Sequence, residues 1–250
     1  MISQSALWRE SLINLVKSFI IFSALLLILY LAEQFFVDLR LLKWHDAAWC
    51  VGVPASIIGV AYVLTIRNPL NYIGFYGGIV MSALLSLQFY LQGNYDLSLL
   101  YILVFIPFQI KSILFWRSSG EGINADDQKP EYLTSKQRLL SLLIFFAIVV
   151  ADYYLSSRII SPVEDITLLD KVVYVFGALL IASSVFANYW LIYRKTDAWF
   201  YWIVYSFCGI VLYAVIGNAF NLVLFTFFLV INSMAGIAWV RETNSGKEII

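Results

Sequence analysis

Charge is scarce in this 250-residue sequence: only 13% of the residues are Asp, Glu, Lys or Arg, sixteen of each sign, and the formal net charge is zero. A soluble domain carries about 25% charged residues, so roughly half of what a water-facing surface needs is absent. An ordinary cytosolic enzyme is excluded. The even balance also offers no basic footprint for phosphates, which excludes a nucleic-acid partner. There is one histidine, His45, and the two cysteines, Cys50 and Cys208, each lie inside an apolar run. Histidine-dependent triads, histidine metal sites and a disulfide framework are therefore out of reach. No glycine-rich phosphate loop and no lipidation motif occurs. The expectation is a chain with no catalytic residues, no metal and no cofactor, hence not an enzyme.

What the sequence does have is apolar surface: 62% of the residues are hydrophobic and 17% aromatic. That content excludes disorder. A helix needs about 20 apolar residues to cross the hydrocarbon core, and eight stretches qualify, at about 17–37, 46–66, 70–91, 97–116, 138–156, 171–192, 198–217 and 219–240. Runs such as 18–30 do not alternate as barrel strands would. The expected fold class is an all-α polytopic membrane protein of about eight transmembrane helices. The first span follows a fairly polar stretch and lacks a small-x-small cleavage pattern, so it reads as a retained helix.

Eight spans place both termini on one side. The loops and tails of that side hold Arg9, Lys17, Arg67, Arg117, Lys129, Lys136, Arg138, Arg194, Lys195, Arg241 and Lys247, against Arg40, Lys43, Arg158 and Lys171 on the other. By the positive-inside rule both termini are expected in the cytoplasm. Lys111 lies within the fourth span near its inner end, where its stem can snorkel to the interface.

An internal repeat organises the spans. Phe105, Gln109, Trp116 and Arg117 in the fourth span are matched by Phe228, Asn232, Trp239 and Arg241 in the eighth, with identical spacing up to the tryptophan. Upstream, Gly93-Asn94 pairs with Gly217-Asn218, and Arg67 with Arg194. Spans two to four thus resemble spans six to eight, and the fifth restores orientation. The expected layout is a parallel 3+1+3 repeat with one extra N-terminal helix. Its segments are 1–45 (tail and extra helix), 46–117 (first triplet), 118–170 (inner loop, linker helix and outer loop), 171–241 (second triplet) and 242–250 (tail).

Such repeats point to transporters with substrate near midplane. Gln109 and Asn232 are side-chain amides at hydrocarbon depth, where an amide must find a partner. That partner is either another helix, at about 0.6–2 kcal/mol, or a hydroxylated or amide-bearing substrate. Gln88, Asn218 and Asn221 lie toward the outer ends of their spans and could line a vestibule, although Asn218 also suits a turn after Gly217. Ser206 and Asn188 are weaker candidates. Trp199 and Trp202 open the seventh span and suit either stacking on a flat ligand or an interfacial aromatic belt. No carboxylate is placed at mid-depth, which favours passive facilitated diffusion over proton coupling.

Arg194-Lys-Thr-Asp-Ala-Trp199-Phe-Tyr-Trp202 resembles the basic-acidic-W-x-x-W signature of the PnuC family of vitamin transporters. Asn71-Tyr72, Gln88-Phe89 and the polar-x6-Trp ending of the first repeat are similar to that family as well, over roughly 60–241. The resemblance implies SWEET-like triplet bundles and uptake of nicotinamide riboside by facilitated diffusion with alternating access. It also implies a homotrimer in the bacterial inner membrane and a cytoplasmic kinase that traps the substrate for NAD biosynthesis. Carried onto this chain, the substrate-binding residues are Gln88, Gln109, Trp199, Trp202, Ser206, Asn218, Asn221 and Asn232. Ser206 stands where many members have asparagine, and Lys111-Ser112 replaces an aromatic-glycine pair, so a related cargo (thiamine, riboflavin or a deoxynucleoside) stays open. A membrane scaffold or receptor is the alternative of a different class.

Overall fold

The computed structural model describes residues 3–35, 46–93, 95–118, 129–160, 167–217 and 219–245. Its helices are α1 (Gln4–Phe35), α2 (Ala47–Ile66), α3 (Gly74–Leu91), α4 (Tyr95–Leu100), α5 (Ile106–Ser118), α6 (Ser135–Leu155), α7 (Leu168–Ile192), α8 (Ala198–Val215) and α9 (Ala219–Ser245). Eight spans among the described residues are long and apolar enough to cross a membrane, α4 and α5 together supplying one of them. The chain is an all-α, multi-pass membrane protein. Asn218, His45, Arg40 and Lys43 lie outside the described residues.

Two compact units divide the chain, residues 1–129 and 130–250. In unit 1, α1 packs on α2, α2 on α3, and α3 on α4 and α5. The helix α1 begins at Gln4, more than three turns before the position its hydropathy suggests. Glu10, Ser11 and Asn14 of that segment face the protein, while Gln4, Ser5, Arg9 and Lys17 are exposed. Leu7, Asn14, Ser18, Phe22, Leu25 and Leu29 are all buried, and their spacing of seven residues and then three or four makes one stripe along the helix. Asn14 Nδ2 donates to Thr65 Oγ1 at 3.3 Å, and the Ser18 hydroxyl donates to the Ile57 carbonyl. Glu10 accepts from Asn68 Nδ2 at 2.9 Å and from Asn71 Nδ2 at 3.0 Å, which ties α1 to the turn between α2 and α3.

Unit 2 follows a similar order, α6 on α7, α7 on α8 and α8 on α9. Thr134 starts α6 with a capping box completed by Gln137, and Thr167 starts α7 with one completed by Asp170, each satisfying amide groups that a helix start leaves open. Phe145, Phe186 and Tyr201 join α6, α7 and α8 through ring contacts of 5.4–6.0 Å. The base of α6 is latched to the turn between α7 and α8. Glu131 N–H donates to the Arg194 carbonyl at 3.1 Å and Thr196 N–H to the Glu131 carbonyl at 2.8 Å. Asp197 accepts from the Leu133 amide and from Arg138 Nε, both at 2.8 Å. Lys195 Nζ pairs with Glu131 at 2.7 Å.

Both Gly93 and Gly217 have positive φ, 77° and 70°, directly after the caps of α3 and α8. This left-handed position is one that glycine fills without a Cβ penalty, so Gly93 and Gly217 of the sequence repeat are turn chemistry. Two stretches depart from the α-helix: Tyr101–Phe105, between α4 and α5, and Ser156–Ile160, after α6, are π-helical. The first lies just before Pro107, whose ring would clash with the carbonyl of Leu103 in a regular turn.

Candidate functional site

The two units carry the same kind of contact at the second residue of a helix. Phe75, second in α3, meets Trp116 of α5 edge-on with centroids 4.7 Å apart and planes at 89°. Trp199, second in α8, meets Trp239 of α9 at 5.5 Å and 72°. All four rings are 2% exposed or less. Together with Trp202 they sit inside their units and do not face lipid as an aromatic belt does; Trp8, by contrast, is 51% exposed.

One helical turn further into each unit lies the amide. In unit 1, Gln109 is 2% exposed and its Nε2 donates to the Tyr62 hydroxyl at 3.2 Å. Its Oε1 rests on Gly78, where an added Cβ would come within 2.7 Å of it. In unit 2, Trp202 holds the place along α8 that Gly78 holds along α3, and the shorter Asn232 takes the place of Gln109. Asn232 Nδ2 donates to Ser206 Oγ at 2.9 Å and to the Trp202 carbonyl at 3.3 Å, while Ser206 Oγ donates back to that carbonyl at 2.8 Å. A long amide therefore meets a helix without a side chain, and a short amide meets one that carries an indole.

Unit 2 leaves polar atoms open. Asn232 Oδ1, Trp202 Nε1 and Trp199 Nε1 are buried and have no hydrogen-bond partner among the described residues. A buried unsatisfied donor or acceptor costs about 1–3 kcal/mol, and such groups in a native fold call for an explanation. Trp202 Nε1 and Asn232 Oδ1, on residues joined by the Asn232 bond to the Trp202 carbonyl, are one open donor and one open acceptor.

The remaining candidates separate. Gln88 is half-buried and lies against Gly52 of α2, where an added Cβ would fall 2.6 Å from Nε2. Ten residues along α3 separate it from Gly78, about 15 Å, so Gln88 and Gln109 occupy different depths. Asn221 is half-buried near the start of α9, eleven residues or about 16 Å from Asn232. Asn188 is buried and donates from Nδ2 to the Ser184 carbonyl at 2.8 Å. Three residues beside the amides carry no motif that would single them out in the sequence: Tyr62, Gly52 and Gly78. The one available signal is the hydroxyl of Tyr62 in a helix whose other polar side chains are Ser56 and Thr65. Arg194, 4% exposed, sits in the α7–α8 turn with φ of 50°. Burial pushes its guanidinium down to about 10, which leaves it charged at neutral pH.

Residues 48–241 match the family model described as "Nicotinamide mononucleotide transporter". The chain belongs to that family. A solved structure titled "Crystal structure of the Vitamin B3 transporter PnuC" aligns over 97% of this chain and 99% of that one, at a TM-score of 0.63 and 19% identity. At that identity the likeness speaks for the fold, while membership of the transporter family rests on the family model. No curated protein sequence matches the chain. Family membership makes the chain a membrane transporter, and each of its two units buries one side-chain amide, Gln109 or Asn232.

Proposed function

We propose that the chain carries nicotinamide riboside across the bilayer by facilitated diffusion with alternating access. The observation that carries this reading is the open donor and acceptor of unit 2, Trp202 Nε1 and Asn232 Oδ1, in a member of a nicotinamide mononucleotide transporter family. The carboxamide and the ribose hydroxyls of the riboside both donate and accept, so either end can complete the pair. Its flat cationic ring suits indole faces, a contact of about 0.5–2 kcal/mol. Gln109, steadied by Tyr62, supplies an amide of the same chemistry in unit 1.

The unphosphorylated riboside fits better than the mononucleotide. A phosphate monoester carries about −1.5 to −2 at neutral pH and wants charge-assisted donors. Gln109 meets the Tyr62 hydroxyl and Asn232 the Ser206 hydroxyl and the Trp202 carbonyl, whereas Arg194 belongs to the turn that precedes α8. Lacking a mid-depth carboxylate in its sequence, the carrier needs no coupled proton. The reading extends to a 3+1+3 repeat with triplets at 46–117 and 171–241, a homotrimer, a bacterial inner membrane with both termini cytoplasmic, and trapping of the cargo by a cytoplasmic kinase. The cation excess of the inner loops supports the orientation.

The test is ligand-dependent stabilisation of the purified protein, followed by uptake into proteoliposomes without an ion gradient. A ligand at a hundred times its Kd stabilises the folded state by about 2.7 kcal/mol. Nicotinamide riboside should raise Tm and accumulate to equilibrium, and the mononucleotide should do neither. A shift with thiamine, riboflavin or a deoxynucleoside alone would reassign the cargo. No shift with any of them would defeat the vitamin-carrier reading.

A further inference from the structure

We infer that Ser82, at the centre of α3, is a cargo-binding residue of unit 1, its hydroxyl meeting a sugar hydroxyl of the cargo. Phe75, Gly78, Ser82 and Ser86 run along one buried face of α3, three or four residues apart. Three of these four are met from the facing helices. Trp116 covers Phe75, Gln109 rests on Gly78, and the Ser98 hydroxyl lies 2.9 Å from that of Ser86. Ser82 is 0% exposed, and its Oγ is the one buried hydroxyl without a hydrogen-bond partner among the described residues. Ser98 and Gln109 bracket the π-helical stretch Tyr101–Phe105, which packs on α3. The turn opposite Ser82 is therefore the one that carries an extra residue, a departure from the α-helix that recurs at functional sites.

An open hydroxyl is not the ordinary state of a helical serine in this chain. Ser56, Thr65, Ser112, Ser183 and Ser233 each donate to the carbonyl four residues back, whereas Ser82 leaves the Gly78 carbonyl untaken. In unit 2, Ser206 holds the place along α8 that Ser82 holds along α3, seven residues after Trp199 as Ser82 is seven after Phe75. Ser206 donates to the Trp202 carbonyl and accepts from Asn232. In unit 1 the amide donates to Tyr62 of α2 instead. The serine of unit 1 is left with a donor and an acceptor both open.

Depth points to the cargo as the missing partner. Ser82 is the ninth of the 18 residues of α3, so about 12 Å of helix separates it from either end. Bulk water does not supply a partner at hydrocarbon depth, and the middle of a span is where secondary transporters hold their cargo. A sugar hydroxyl both gives and takes a hydrogen bond, as the serine does. The riboside as the bearer of that hydroxyl rests on the proposed function; the place of Ser82 on the cargo path does not.

The experiment measures nicotinamide riboside affinity and Tm for wild type and Ser82→Ala, and the rate at which a methanethiosulfonate reagent labels Ser82→Cys in proteoliposomes. Removing a hydroxyl that has no partner breaks no bond of the fold, so the Tm of Ser82→Ala should not fall, while riboside affinity should fall at least about fivefold. That loss should vanish with one of the 2′-, 3′- and 5′-deoxy ribosides, the one that already lacks the group Ser82 meets. Ser82→Cys should be labelled above the background that Cys50 and Cys208 give in wild type, and riboside should slow the labelling. Unchanged affinity in Ser82→Ala, or affinity lost together with a fall in Tm, would reduce Ser82 to packing. A loss that persists with all three deoxy ribosides would overturn the pairing with the sugar, and an unlabelled Ser82→Cys would overturn its place on the path. Labelling in a protein that binds no riboside would count against the proposed cargo and support the place of Ser82.

Discussion

Two adjacent glycines of α3 give a test in which one mutation is its neighbour's control. Replacing either Gly77 or Gly78 by alanine gains about 1 kcal/mol of helix propensity. At Gly77 the new methyl meets nothing closer than 3.7 Å. At Gly78 it falls 2.7 Å from Gln109 Oε1, 2.8 Å from Gln109 Cδ and 3.2 Å from a Tyr62 ring carbon. An ordinary contact begins at about 3.4 Å, so the amide must move by about 0.7 Å, and the 3.2 Å bond to Tyr62 is lost or bent. Losing that bond costs about 0.5–1.5 kcal/mol, which the propensity gain roughly offsets. Stability of Gly78→Ala should stay within about 1 kcal/mol of wild type. Binding should not, because a misplacement of about 1 Å at a positioning group can cost up to a hundredfold. Titration calorimetry with nicotinamide riboside should show at least a tenfold weaker Kd for Gly78→Ala and a Kd within twofold of wild type for Gly77→Ala. Equal affinities for the two variants would refute the role given to the Gln109 amide.

Asn232→Ala removes the two donations to Ser206 and the Trp202 carbonyl but also an open buried oxygen. Its melting should change by the equivalent of no more than about 1.5 kcal/mol, while riboside affinity falls at least tenfold; unchanged affinity would make Asn232 a helix-to-helix tie. Asp197→Asn should cost under about 1 kcal/mol, since Arg138 is 51% exposed and exposed ion pairs contribute little. Asp197→Ala should cost about 1–3 kcal/mol more by leaving the Leu133 amide without its acceptor, which a denaturation series can separate. Gly209→Ala would put a Cβ within 1.8 Å of a Phe225 ring carbon. Overpacking of that kind costs about 1–3 kcal/mol, and Phe225→Leu in the same chain should restore the Tm.

Hydropathy located the eight spans because lipid imposes length and apolarity on each of them. It missed the first turns of α1, where Glu10, Ser11 and Asn14 depress the average although they are residues that bind the helix to its neighbours. Polarity there means packing. The π-helical stretch Tyr101–Phe105 was invisible for the opposite reason, since a run apolar on every face gives no phase from which an extra residue can be read. Gln109 and Asn232 were legible because the same spacing occurs twice. Their surroundings were not: Gly78 and Trp202 differ as much as two residues can, and only the helix packing shows that each lies beside its unit's amide. Burial of Trp199 and Trp202 could not be read from spacing, because the end of a span suits an anchoring ring and a packed one equally.

The latch at the base of α6 makes unit 2 a single lever. A short lead-in and a tight turn are joined by two backbone bonds, a carboxylate that grips an amide and a guanidinium, and an outlying ion pair. The two ion pairs are exposed and contribute little, so the backbone bonds and the Asp197 bond to the Leu133 amide hold the latch. With the foot of α6 pinned to the turn that starts α8, a tilt of α8 sweeps the far end of α6 along with it. The α7–α8 turn is then the point at which the foot of α6 and the start of α8 are held together, ending two residues before the first buried tryptophan of α8.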